Sequence, residues 1–139
     1  PVDKVADFED LTSLEGLTVA VESGSAGEAA ATALGASTVA VAKQADTLLE
    51  VSAGTSDAAV IDLLMAGAMI GEGTNYESLT YVLNLNELQN QESEEYGVGF
   101  RQGSNLVDEF NTFWAEKVAD GTVLEVATTY GLQESVILE

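Results

Sequence analysis

The stretch VAVESGSAGEAAATAL, residues 19–34, reads as a strand, a tight glycine turn and a helix. The β-branched run up to Glu22 suits a buried strand, and the alanine-rich continuation suits a helix. Ser25 and Glu28 have capping-box spacing: the Ser25 hydroxyl caps the helix and Glu28 reaches back to the Ser25 amide. Ala26 and Gly27 then fall in the first helical turn, where amides have no intrahelical acceptor. Those donors and the helix dipole favour an anion in front of them. Small residues at Gly24, Ala26 and Gly27 open the backbone to a ligand, although the same residues also make a plain, well-capped βα turn. No lysine follows the glycines, as a Walker loop requires, and the G-x-G-x-x-G spacing is absent. A carboxylate therefore suits this turn better than a diphosphate.

Outward from this stretch the periodicities alternate. LTVAVE (17–22), STVAVA (37–42) and DAAVID (57–62) read as strands. EAAATAL (28–34), QADTLLEVSA (44–53) and LLMAGAMIGEG (63–73) read as helices, with Gly54 placed as a C-terminal cap of the second. Strand–helix alternation of this kind predicts a mostly parallel sheet covered on both faces, a three-layer α/β/α arrangement. LTYVLNL (79–85) reads as a further strand, and NELQNQESEE (86–95) as a polar loop or weak helical turn. YGVGFR (96–101) reads as a strand despite its two glycines. SNLVDEFNTFWAEKVADG (104–121) is a strong helical pattern, with Leu106, Phe110, Phe113, Trp114 and Lys117 at helical spacing, Ser104 as cap and Gly121 as stop. A second capping box, Thr122 to Glu125, opens the last helix, which runs through Tyr130. No internal repeat interrupts this order, and residues 1–139 are read as one α/β domain.

Composition narrows the function. The 139-residue chain is 46% hydrophobic, enough for one core despite a formal charge of −20 from 24 acidic and 4 basic residues. Such a surface repels nucleic acid and anionic membranes. The acids are read as solvated helix faces, and the D-x-[DN]-x-[DN]-G calcium loop is absent. There is no cysteine and no histidine, which removes disulfides, thiolate chemistry, common zinc sites and histidine-based catalysis. No cofactor is implied. The apolar runs are too short to span a bilayer. No leader peptide is legible, and the opening at Pro1 is read as a boundary within a longer protein.

Asp62 closes the third strand. Ligands of open parallel sheets gather outside the carboxyl ends of strands, the edge expected to hold the 23–27 turn as well. An aspartate there can hold an ammonium, or it can cap the helix that follows. Together the two features would offer amide donors to a carboxylate and an acid to an ammonium, the two groups of an amino acid.

At these residues the chain resembles the amino-acid-type solute-binding proteins of ABC importers, which have the type II periplasmic binding protein fold. DLTSLEGLTVAVESGSAGE (10–28) resembles their DLKGKKVAVQSGSTGE segment, and LLEVSAGTSDAAVID (48–62) their ALQAGQVDAVVVD. YGVGFRQGSNLVDEFNTFWAEKVADGTVLEVATTYG (96–131) is similar to their YGIAFRKGD…DGT…KWFG ending. The resemblance implies the second of two lobes (about 9–95), a return hinge strand at Tyr96–Arg101, and closing helices at 104–131. It also implies that amides around Ser25 and Ala26 take the ligand's α-carboxylate, with Gly24 allowing the approach. Asp62 would take the α-amino group, and Glu22 would touch the ligand side chain. The implied partners are an amino acid and an ABC permease, and the implied compartment is extracytoplasmic, periplasmic or cell-surface. The first lobe and its carboxylate-binding arginine are missing from this chain; Arg101 lies on the hinge strand and is not that arginine. Ala26 replaces a common hydroxyl residue, and TYG replaces KWFG. A lobe without its partner can pair with a second copy through exposed apolar surface. The ligand-binding lobe of a sensor or receptor on the same fold is the alternative expectation. An enzyme on this fold is disfavoured by the absent histidine and the lack of a carboxylate pair.

Overall fold

The computed structural model describes residues 1–85, 88 and 95–137. The chain divides into two compact units, Pro1–Glu94 and Glu95–Glu139.

The first unit is built on three parallel strands: β1 (Thr18–Glu22), β2 (Ser37–Val41) and β3 (Ala58–Ala59), in the spatial order β2-β1-β3. β1 pairs with β2 from Thr18↔Ser37 to Glu22↔Val41, and with β3 at Val19↔Ala58 and Ala20↔Ala59. The Val60 amide continues the second ladder onto the Ala20 carbonyl at 3.0 Å. Three helices follow the strands in turn: α1 (Ala26–Ala33), α2 (Asp46–Ser52) and α3 (Leu63–Met69).

The central strand explains its own composition. Val19, Ala20 and Val21 are 1%, 0% and 0% exposed, so β1 is covered on both faces. Successive side chains of a strand point to opposite faces, and two separate cores result. On one face Val19, Val21 and Val60 pack with Ala31 of α1, with Leu34 at its C-cap and with Leu14 from the segment ahead of β1. On the other, Ala59 and Ile61 pack with Leu48 and Val51 of α2, with Leu79, and with Met69 and Ile70 at the end of α3. The fold is therefore a three-layer α/β/α arrangement with an all-parallel sheet. The crossover from β1 to β2 and the crossover from β2 to β3 run in opposite directions across the sheet, so right-handed connections put α1 and α2 on opposite faces.

Two expected strands are not formed. Leu79–Leu85 pairs with no strand among the described residues; instead Leu79 enters the core beneath α2 and Leu85 packs against the core beneath α1. Leu79 and Leu85 serve packing on the two layers rather than a ladder. Tyr96–Arg101 likewise has no ladder partner among the described residues, and Tyr96 and Val98 are exposed. Apart from Leu88 and Glu95, the loop expected at 86–95 lies outside the described residues.

The second unit carries α4 (Leu106–Ala119) and α5 (Thr122–Thr129). Phe110 organises it: its ring stacks on Trp114 at 6.3 Å between centroids and meets Phe100 at 5.6 Å and Phe113 at 6.5 Å. The N-cap of α4 is Asn105 and not the expected Ser104, which lies one residue ahead of it and accepts the Leu106 amide at 3.2 Å. The expected Thr122–Glu125 box is replaced. Gly121 takes a left-handed backbone (φ +83°), and Asp120 accepts both the Thr122 amide, at 2.9 Å, and the Thr122 hydroxyl. An acid two residues upstream of Thr122 reaches both donors, which leaves the threonine no free hydroxyl hydrogen. The Lys117 ammonium and the Thr122 donors together hold the Asp120 carboxyl down at about 2. Among the described residues no helix is long and apolar enough to cross a membrane.

Candidate functional site

In a sheet ordered β2-β1-β3 the chain leaves β1 toward β2 and later returns to the other side of β1. In open parallel sheets a reversal of this kind marks the place where ligands bind, outside the carboxyl ends of the strands, here β1 and β3. The 23–27 turn follows β1, and Asp62 follows β3. Both therefore stand on one edge of one sheet, flanking the reversal.

Packing makes the juxtaposition close. Gly27 sits so near β3 that a Cβ placed there would lie 2.9 Å from Val60 Cγ1. The first turn of α1 thus rests directly on β3, two residues ahead of Asp62. Glycine is needed at 27 for this contact, and at 24 for backbone shape, since Gly24 has φ +76° in open space.

The amides of the turn are only partly free. Ser23 N–H donates to the Val41 carbonyl at 2.9 Å, extending the β1–β2 ladder by one bond. Ser25 N–H donates to the Glu22 carbonyl at 3.2 Å, closing the turn. The Ser25 hydroxyl accepts the Glu28 amide at 3.1 Å, as the capping box predicts. The other half of the box differs: the Glu28 carboxylate takes the Gly24 amide, at 2.6 Å, and not that of Ser25. The Ser25 amide is already committed to the turn, while left-handed Gly24 presents its own N–H to the helix. Of the amides expected to receive a carboxylate, that of Ser25 is thus occupied from within the chain, as is that of neighbouring Gly24. Ala26 and Gly27 donate to no acceptor among the described residues, so the open pair lies one residue further along.

Asp62 caps α3, its Oδ1 accepting the Met65 amide at 3.0 Å, and its other oxygen accepts nothing from the described chain. Capping and ligand binding are compatible here, because each uses one oxygen.

Glu22 is singled out by its surroundings. Five described carboxylates are half-buried: Glu22, Glu28, Glu50, Asp57 and Asp62. Glu28 and Asp62 are bonded as above, Glu50 accepts the Thr55 hydroxyl, and Asp57 accepts the Thr18 amide at 2.9 Å. Glu22 alone of the five has no partner among the described residues, and it ends β1 at the reversal.

Sequence reasoning missed Gly27 as a packing contact and Glu28 as a competitor for the turn's amides. The capping-box spacing was the available signal for the second. It also passed over Lys43, which lies two residues beyond the end of β2 on the same edge, exposed and in no ion pair among the described residues. Among the described residues no group of three or more acidic, histidine or cysteine side chains could hold a metal ion. The arrangement can therefore offer amide donors to an anion and two carboxylates to cationic or hydrogen-bond-donating groups.

No protein-family model, curated protein or solved structure matches this chain.

Proposed function

We propose that the chain is the second lobe, with closing helices, of an extracytoplasmic amino-acid-binding protein that delivers its ligand to an ABC permease. The observation that carries this reading is the β2-β1-β3 order, with the bare turn and Asp62 on either side of the strand reversal. On this reading the Ala26 and Gly27 amides receive the ligand's α-carboxylate, Gly24 keeps the approach clear, and Ser25 holds the turn in shape. The free oxygen of Asp62 takes the α-ammonium, and Glu22 meets the side chain, favouring a cationic or hydrogen-bonding one. The protein binds without turnover, and closure of two lobes on the ligand is the signal a permease reads.

A single lobe supplies about half the contacts, so affinity on the order of millimolar is expected of this chain. The test is amide chemical-shift mapping of the chain against the twenty amino acids, repeated with N-acetylated analogues and with Asp62→Ala. Saturable shifts at 24–27 and 62–65 are expected, weakened both by acetylation and by loss of Asp62. Shifts confined to other residues, or none with any amino acid at about 10 mM, would overturn the reading.

A further inference from the structure

The acids outnumber the bases six to one, and the structure shows what becomes of them. No described carboxylate is buried, and among the described residues a single ion pair forms, Lys117–Asp120. The excess negative charge of the described residues is therefore almost wholly unpaired and lies at the surface. Pairs such as Glu9–Asp10 and Asp108–Glu109 are exposed side by side. Charge of one sign repels itself more in a compact state than in an expanded chain, and dissolved ions screen that repulsion.

The core set against this repulsion is slight. The largest fully buried side chains are Val19, Val21 and Thr47, and in the second unit the only buried hydrophobic residue among those described is Ala127. No cluster of ligands for a bound metal exists among the described residues, so neutralisation falls to a diffuse cloud of cations and not to a site.

We infer that the folded state of this protein depends on ionic strength, with monovalent cations acting as non-specific counter-ions that hold the compact chain together. The dependence is independent of what the cleft binds. Screening changes most steeply as the Debye length shrinks from about 30 Å at 0.01 M salt to about 3 Å at 1 M.

The experiment is thermal unfolding of the chain by circular dichroism at pH 7, from 0.01 to 1 M KCl. NaCl and MgCl2 are compared at matched ionic strength. A rise in Tm of about 10 °C or more is expected across the series, similar for the two monovalent salts. A second variant separates charge screening from a general salt effect on apolar burial. Glu9→Gln, Asp10→Asn, Glu72→Gln, Glu77→Gln and Glu116→Gln together remove five exposed charges that neither cap a helix nor touch the cleft. Self-repulsion scales with the square of net charge, so the salt dependence of Tm should fall by roughly 40%, with a higher Tm than the parent at low salt. A Tm constant within about 2 °C over the series would overturn the inference. So would an undiminished slope in the five-site variant, or stabilisation that saturates with magnesium below about 1 mM.

Discussion

Replacing Gly27 by alanine tests the contact on which the cleft depends. The new Cβ would lie 2.9 Å from Val60 Cγ1, 3.6 Å from Val60 Cβ and 3.5 Å from Ser25 Oγ. Val60 cannot swing aside, because a β-branched side chain has few rotamers and this one is packed into the core beneath α1. The helix must therefore lift from the strand. Overpacking of this kind costs about 1–3 kcal/mol, while exchanging glycine for alanine in a helix returns at most about 1 kcal/mol. The net expectation is destabilisation of roughly 1–2 kcal/mol, read in urea as a midpoint lowered by about 0.5–1 M. Val60→Ala removes the obstructing methyl and by itself costs about 1–3 kcal/mol through the space it leaves. In that background Gly27→Ala should be neutral or mildly stabilising, a coupling of roughly 1–2 kcal/mol between the two sites. An alanine at 27 that raises the midpoint in the parent, or effects that simply add, would refute the reasoning. The first turn of α1 would then not rest on β3, and the edge shared by Ala26, Gly27 and Asp62 would be lost with it.

Ser25→Ala removes the hydroxyl that accepts the Glu28 amide and should lower stability by about 1 kcal/mol in equilibrium denaturation, with Ser25→Asn restoring most of it. Asp57→Ala strands the half-buried Thr18 amide at the start of β1; a loss of about 1–2 kcal/mol is expected, with faster exchange of that amide. Asp120 titrates well below the ordinary 3.8, at about 2, chiefly because of the Lys117 bond and then the Thr122 hydroxyl and amide. Its capping contribution is thus complete above the unfolded value and is lost as pH falls through about 2. Carboxyl carbon shifts should show that midpoint, and Lys117→Met should move it upward.

Much of the fold is legible locally. β1, α1, β2 and α2 lie where their periodicities put them, because Val19 and Val21, the Ser25 cap and the alanine run act over a few residues. The second unit's long helix is equally local, set by the spacing of Phe110 and Trp114, although its cap is Asn105 and not Ser104. The misread elements share a cause. LTYVLNL and YGVGFR have strand-forming composition, but a strand exists only when another pairs with it, and that partner is not written in the segment itself. In the first case the apolar side chains are spent on two helical layers instead.

The candidate site divides along the same line. Residue type and spacing alone determined that a bare turn opens α1, that an acid follows β3, and that the chain is overwhelmingly negative, since these are properties of a few neighbours or of a simple count. Only tertiary structure decided that β1 lies between β2 and β3, which sets the turn and Asp62 on either side of one reversal. It also decided which donors remain open. Glu28 turns to Gly24, Ser25 to Glu22, and Gly27 is pressed onto Val60, leaving the amides of Ala26 and Gly27 unspent. Competition among neighbouring donors for a few acceptors is settled by geometry in three dimensions, which spacing along the chain does not encode.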